Sequence, residues 1–135
     1  MKELTLLFLR QGDEVLLAMK KRGFGEGRWN GVGGKVEKGE DELHAAYREL
    51  EEETGISKND IILTSLMNFE YKLQDMELEV YVGKLNKEVK LVEEINKLFW
   101  IDKNNNFFDV EKYAGEGNKG HMLKHVEIYK DEVLK

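Results

Sequence analysis

The sequence predicts an α/β fold. Three observations carry that expectation: paired apolar runs of strand length, a capped helix with one apolar stripe between the pairs, and a second amphipathic run near residue 135. With 135 residues, 41% of them hydrophobic, one domain over 1–135 is expected, large enough to bury a core. No apolar run is long enough to cross a membrane, so no membrane partner is expected. Cysteine is absent, and the first apolar run, Leu4 to Leu9, is too short and wrongly flanked for a signal peptide. A cytoplasmic location is the resulting expectation.

Taken in order, 5–10 and 14–19 are apolar runs split by Gln11, Gly12 and Asp13, which predicts a β-hairpin. From Gly23 to Gly39 the chain places seven of its 13 glycines, with Phe24, Arg28, Trp29 and Asn30 among them. Glycine lets backbone approach a ligand closely, and the aromatic residues favour packing or ring stacking over a merely flexible loop. Lys20, Lys21, Arg22, Arg28, Lys35 and Lys38 crowd into the same region. The net charge of −6 argues against a nucleic-acid polymer as partner, whereas a local basic cluster suits a small polyphosphate. Charges that only keep a loop soluble are the alternative.

Asp41 is placed to cap a helix with Leu43, Ala46, Tyr47 and Leu50 as its apolar stripe, and Gly55 to end it. Glu49, Glu52 and Glu53 fall on a second stripe bordering the first, with Glu42 earlier on that side. A solvated charged face is one reading of this spacing. The other is a set of hard oxygen ligands beside a phosphate-sized glycine loop, which is what Mg²⁺ or Mn²⁺ requires when carboxylates and substrate phosphates hold it together.

Beyond the helix, 61–73 and 76–85 are two more strand-like runs around Gln74 and Asp75, with Phe69 and Tyr71 on one face and Leu78, Val80 and Val82 aligned on the other run. Residues 92–102 carry Glu93 and Glu94 and then Leu98 to Ile101, a fully buried strand by composition. Residues 104–120 are polar and glycine-rich. Met122, Val126, Tyr129 and Val133 predict a C-terminal helix packed on the sheet. His121 and His125, one turn apart without a third ligand, read as surface histidines.

Gly34, Glu40 and the run Arg48-Glu49-Leu50-Glu51-Glu52-Glu53-Thr54-Gly55-Ile56 resemble the complete signature box of the Nudix hydrolases, nine fixed positions over 23 residues. The stretches Lys20 to Gly25, Gly27 to Gly31 and Gly33 to Val36 are similar to the animal branch of the MutT-type oxidised-purine nucleoside triphosphatases. Val32 stands where the wider family often has Pro, and the chain has no Pro at all, which speaks against the ADP-ribose hydrolases.

The resemblance implies an α/β/α sandwich with a curved mixed sheet. It implies Mg²⁺-dependent, or Mn²⁺-dependent, hydrolysis of a nucleotide such as 8-oxo-dGTP to the monophosphate and pyrophosphate. The expected metal ligands are the Gly33 carbonyl, Glu49, Glu52 and Glu53, with Glu94 approaching from its loop. Glu52 or Glu94 is the expected base, and Arg48 orients the carboxylates. Gly33, Gly34, Lys20 and Lys35 are expected at phosphate, and Asn30, Phe24 and more weakly Thr5 at the base, with Phe69 nearby. Tyr113 and Glu116 stand where the similar enzymes carry a Trp and paired Asp residues that read the purine edge, which leaves the preferred base open. A different nucleotide specificity, on ordinary dNTPs or dinucleoside polyphosphates, and a non-catalytic nucleotide-binding module are the alternatives.

Overall fold

The computed structural model describes residues 1–21, 26–93 and 95–134. Its centre is β1 (Lys2–Gln11), which turns through Gly12 and Asp13 into β2 (Glu14–Met19), pairing Arg10 with Val15 and Gln11 with Glu14. Past that turn the two strands diverge. Residues 32–36 fill the gap on the β1 edge: Leu7 N–H donates to the Val32 carbonyl at 2.7 Å, Thr5 N–H to Gly34 at 2.8 Å, and Val36 N–H to Glu3 at 2.9 Å. The short β3 (Trp29–Asn30) pairs with the far end of β2.

On its other edge β1 runs parallel to β5 (Met76–Lys84) over the whole span from Lys2↔Met76 to Arg10↔Lys84. β4 (Thr64–Tyr71) is antiparallel to β5, with a register irregularity between Ser65 and Met67. β6 (Lys97–Asp102) pairs antiparallel with β2, so the sheet is mixed and six-stranded.

Alternation along β1 separates two cores, because successive side chains leave a strand on opposite faces. Leu7 and Leu9 join Leu16, Val32, Ala46, Leu50 and Ile56 under α1 (Glu42–Thr54). Leu6 and Phe8 join Leu17, Leu78, Val80, Met122 and Val126 under α2 (Asn118–Ile128). Helix, sheet, helix is therefore the layer order, as expected. Both faces of β1 are covered, which is why its run reads as continuously apolar.

Asp41 caps α1 as expected, its carboxylate accepting from the His44 N–H at 3.3 Å, and Gly55 ends it at φ 81°. The apolar stripe is shifted by comparison with the expectation. Leu43 is 40% exposed, and Ala45 is buried instead. Tyr47 stays half-buried, and its hydroxyl accepts from the Leu63 N–H at 2.9 Å.

The strand expected to be fully buried at 92–102 is corrected: only Leu98 is buried within β6, and Phe99 is half exposed, because β6 has β2 as its sole strand partner among the described residues. The C-terminal helix ends at Ile128 and resumes as the short α3 (Lys130–Val133); Tyr129, expected on the buried stripe, sits at the break and is exposed. Among the described residues no helix is long and apolar enough to cross a membrane.

Candidate active site

Two glycines bring α1 against β1. Gly33 has φ 141°, where an L side chain is strained, and a Cβ there would lie 2.2 Å from the Thr5 carbonyl oxygen. Its N–H points at the helix and donates to Glu53 Oε2 at 2.5 Å. A Cβ on Gly34 would meet the carboxylate carbon of Glu49 at 2.5 Å. Thr5, buried, locks the same turn by exchanging hydrogen bonds of 3.3 Å with the Gly34 backbone, so it contributes here as a brace.

Glu53 is 4% exposed. Lys20 Nζ lies 3.6 Å from its Oε1, and Asn96 Nδ2 donates to the same oxygen at 3.4 Å. Burial pushes the Glu53 carboxyl above the usual range, while Lys20 and the Gly33 N–H oppose it. Burial also raises Glu49; Arg48 pulls it back, and the neighbouring charges of Glu53 and Glu52 push it further up. A like charge beside a partly desolvated carboxyl disfavours its ionised form in this way.

Arg48 is the hub of the cluster. Its fork grips Glu40 through Nε at 2.7 Å and Nη2 at 2.9 Å, and Nη1 reaches Glu49 at 3.0 Å and Glu52 at 3.3 Å. Nη2 also donates to the Lys35 carbonyl at 3.0 Å, tying α1 to the glycine segment. The arginine holds the Glu40 carboxyl down to about 2. The Lys35 side chain itself is exposed, and so is that of Glu52. Glu42, aligned with this stripe in the sequence, instead faces Glu3, Glu77 and Glu79 of β1 and β5.

On the far side of β3, residues 112–114 dock on Trp29: its N–H donates to the Lys112 carbonyl at 2.7 Å, and Ala114 N–H returns to its carbonyl at 3.0 Å. This brings Tyr113 and Glu116 to the Asn30 end of the sheet. The Tyr113 ring is buried against Phe107 at 5.0 Å, and Glu116 accepts from Gln74 at 3.3 Å. Phe69 stacks on Tyr71 at 6.5 Å, and Tyr71 donates to the Gly115 carbonyl at 3.1 Å. Phe24 and Glu94 lie outside the described residues.

Asn30 is 3% exposed, and its Oδ1 accepts from the Gly31 N–H at 2.8 Å and from Lys119. Lys119, like Asn96, has no place in the sequence reading. A signal existed: Lys119 occupies the first position of an i, i+3, i+4, i+7 stripe completed by Met122, Leu123 and Val126. Asn96 had none.

The oxygen-only donor set of Glu49, Glu52, Glu53 and the Gly33 carbonyl fits a hard divalent ion, and Glu49 and Glu53, raised chiefly by burial, are carboxyls whose charged form such an ion would favour. Among the described residues no three acidic or histidine side chains already converge on one point, since Arg48 and Lys20 engage them.

A mixed sheet between helices, with a glycine turn packed on a glutamate-rich helix, defines an α/β sandwich domain with an acidic site at the turn. The chain belongs to the NUDIX domain family, which matches residues 4–125. It is similar to the oxidized purine nucleoside triphosphate hydrolase of Mus musculus, at 51% identity over 67 residues, covering 50% of this chain and 43% of the relative. The protein of the same name from Danio rerio is 44% identical over 81 residues, covering 60% of this chain and 52% of the relative. The chain thus spans about half the length of the curated relatives it matches. In fold it resembles a C. elegans Ap4A hydrolase, solved as a binary complex, with a TM-score of 0.79 at 20% identity over 95% of this chain and 98% of that one.

Proposed function

We propose that the chain, acting as one domain, hydrolyses oxidised purine nucleoside triphosphates such as 8-oxo-dGTP to the monophosphate and pyrophosphate, with Mg²⁺ or Mn²⁺ as cofactor. The observation that carries this reading is the packing of Glu49 and Glu53 against the Gly33–Gly34 turn, at hydrogen-bond distance for Gly33. The names of the mouse and fish relatives supply the substrate class. A cytoplasmic setting belongs to the same proposal.

A divalent ion held there would supply charge neutralisation at the phosphates and lower the pKa of a water. The chain's own residues do the rest. Gly33, Glu49, Glu52 and Glu53 would hold the ion, and Arg48 sets the orientation of Glu49 and Glu52 from behind. Lys20, 15% exposed and aimed at the carboxylates, meets the phosphates together with Lys35. Glu52, the exposed member of the set, is the base within the described residues, with Glu94 as the other candidate. Asn30 contacts the purine.

One observation favours a different base specificity: Tyr113 is packed into the core and Glu116 is hydrogen-bonded to Gln74, so this segment reads a purine edge with altered groups. Both readings meet in one experiment. Product formation is measured with Mg²⁺ and with EDTA: pyrophosphate from ordinary and oxidised triphosphates, and the two adenosine nucleotides from a diadenosine polyphosphate. A Mg²⁺-dependent preference in kcat/KM for oxidised purines is expected. Equal turnover of dGTP and 8-oxo-dGTP overturns the substrate. Glu52→Gln is expected to lower kcat by about 10²–10⁴-fold, and unchanged turnover in that variant overturns the mechanism.

A further inference from the structure

Lys119 is 1% exposed, and among the described residues no carboxylate lies within ion-pairing distance of it. Among the described residues its ammonium makes one hydrogen bond, to the Oδ1 of Asn30, and one ring contact, with the face of Phe8, 5.1 Å from the centroid. A buried lysine with no countercharge is destabilising by itself, since the cation gives up its hydration for one neutral oxygen and a ring. Burial, with Lys20 nearby, holds its pKa down to about 7.

The position of this lysine decides which way the Asn30 amide faces. A backbone N–H can only donate, and the Gly31 N–H and the Lys119 nitrogen are directed at the same side-chain atom of Asn30. That atom is therefore the oxygen, and its two lone pairs are taken. The Nδ2 group donates to nothing among the described residues. No buried side-chain nitrogen or oxygen there lacks a partner, so Nδ2 reaches the surface. In its charged form the lysine also polarises the amide and strengthens the N–H on the other side.

We infer that Lys119 is a positioning residue for the base: by holding the Asn30 oxygen it commits Asn30 to meet the nucleotide as a donor only, and so selects purines with a carbonyl at C6 over those with an amino group. The chemistry follows from the purine edges. Guanine and hypoxanthine present an acceptor at O6, whereas adenine presents a donor there. Without the lysine only the Gly31 N–H would keep the Asn30 oxygen turned inward, and with one bond left to break the amide would turn over to serve either base. This inference rests on the proposed reading of Asn30 as the base contact.

The test compares kcat/KM for dITP and dATP, and for their 8-oxo forms, in the wild type and in Lys119→Met. A wild-type preference of about tenfold for the C6-carbonyl member of each pair is expected, the value of one hydrogen bond. In Lys119→Met the ratio should fall to within about threefold of unity. A folded Lys119→Met that keeps the wild-type ratio, or a wild type without preference, overturns the inference. Should that variant not fold, the side-chain amide NMR signal of Asn30 in the wild type decides. It is expected to shift on adding inosine monophosphate and not adenosine monophosphate, and equal or absent responses overturn the inference. Failure to turn over any triphosphate overturns the proposed activity instead, and a selective Asn30 shift would survive it.

Discussion

Gly34 has room for a hydrogen and nothing larger, because the Glu49 carboxylate occupies the space a methyl would need. Gly34→Ala must therefore move Glu49. The expected outcome is a loss of about 10²-fold in kcat/KM, the usual effect of misplacing a reacting group by an ångström. The cost to stability should be only about 1–3 kcal/mol, the price of one overpacked methyl group. Steady-state kinetics beside thermal melts separate the two effects. This contact was legible only as a residue type at a spacing; that Gly34 serves by lacking a Cβ needed the packing. Lys119 was missed for a physical reason. A lysine at the head of an apolar stripe is ordinarily a surface residue whose stem covers the core, and only its contacts with Asn30 and Phe8 show that the ammonium went inside.

At the level of elements, α1 was the most legible part, because its two ends are written in local chemistry. Removing the Asp41 cap by Asp41→Ala is expected to destabilise the protein by about 1 kcal/mol. Gly55→Ala should cost more, since φ is 81° and the new Cβ would come within 2.9 Å of Val92. Denaturant unfolding of the two variants checks the order. The hairpins were legible as well, from apolar runs separated by turn residues. β6 was not, because composition alone does not distinguish an edge strand from a central one. The four apolar residues Leu98 to Ile101 divide between a buried Leu98 and a half-exposed Phe99 that meets Trp29 edge-on at 5.1 Å. Nor was the pairing of residues 32–36 with β1, which depends on β2 diverging after its first two residue pairs.

Across the whole molecule, the buried Lys119 ties stability to pH. Its folded-state pKa of about 7 lies below the ordinary 10.5, so between those values the unfolded chain carries a proton that the folded chain does not. Unfolding then takes up a proton, and raising the pH through that window favours the folded state at this residue. Below about pH 7 the folded protein holds the cation and bears the full penalty. Lys119→Met should therefore be more stable than the wild type at neutral pH, with the difference shrinking toward pH 10, as measured by denaturant unfolding. An advantage independent of pH would mean that the lysine stays charged throughout. The sheet carries a consequence of another kind. β1 supports the glycine turn on one edge, yet its other edge waits for residues 76–84, its parallel partner. During synthesis β1 emerges first and β5 much later, so the strand that holds the site must spend that interval half-paired, and the order of translation leaves its outer edge exposed to other nascent chains.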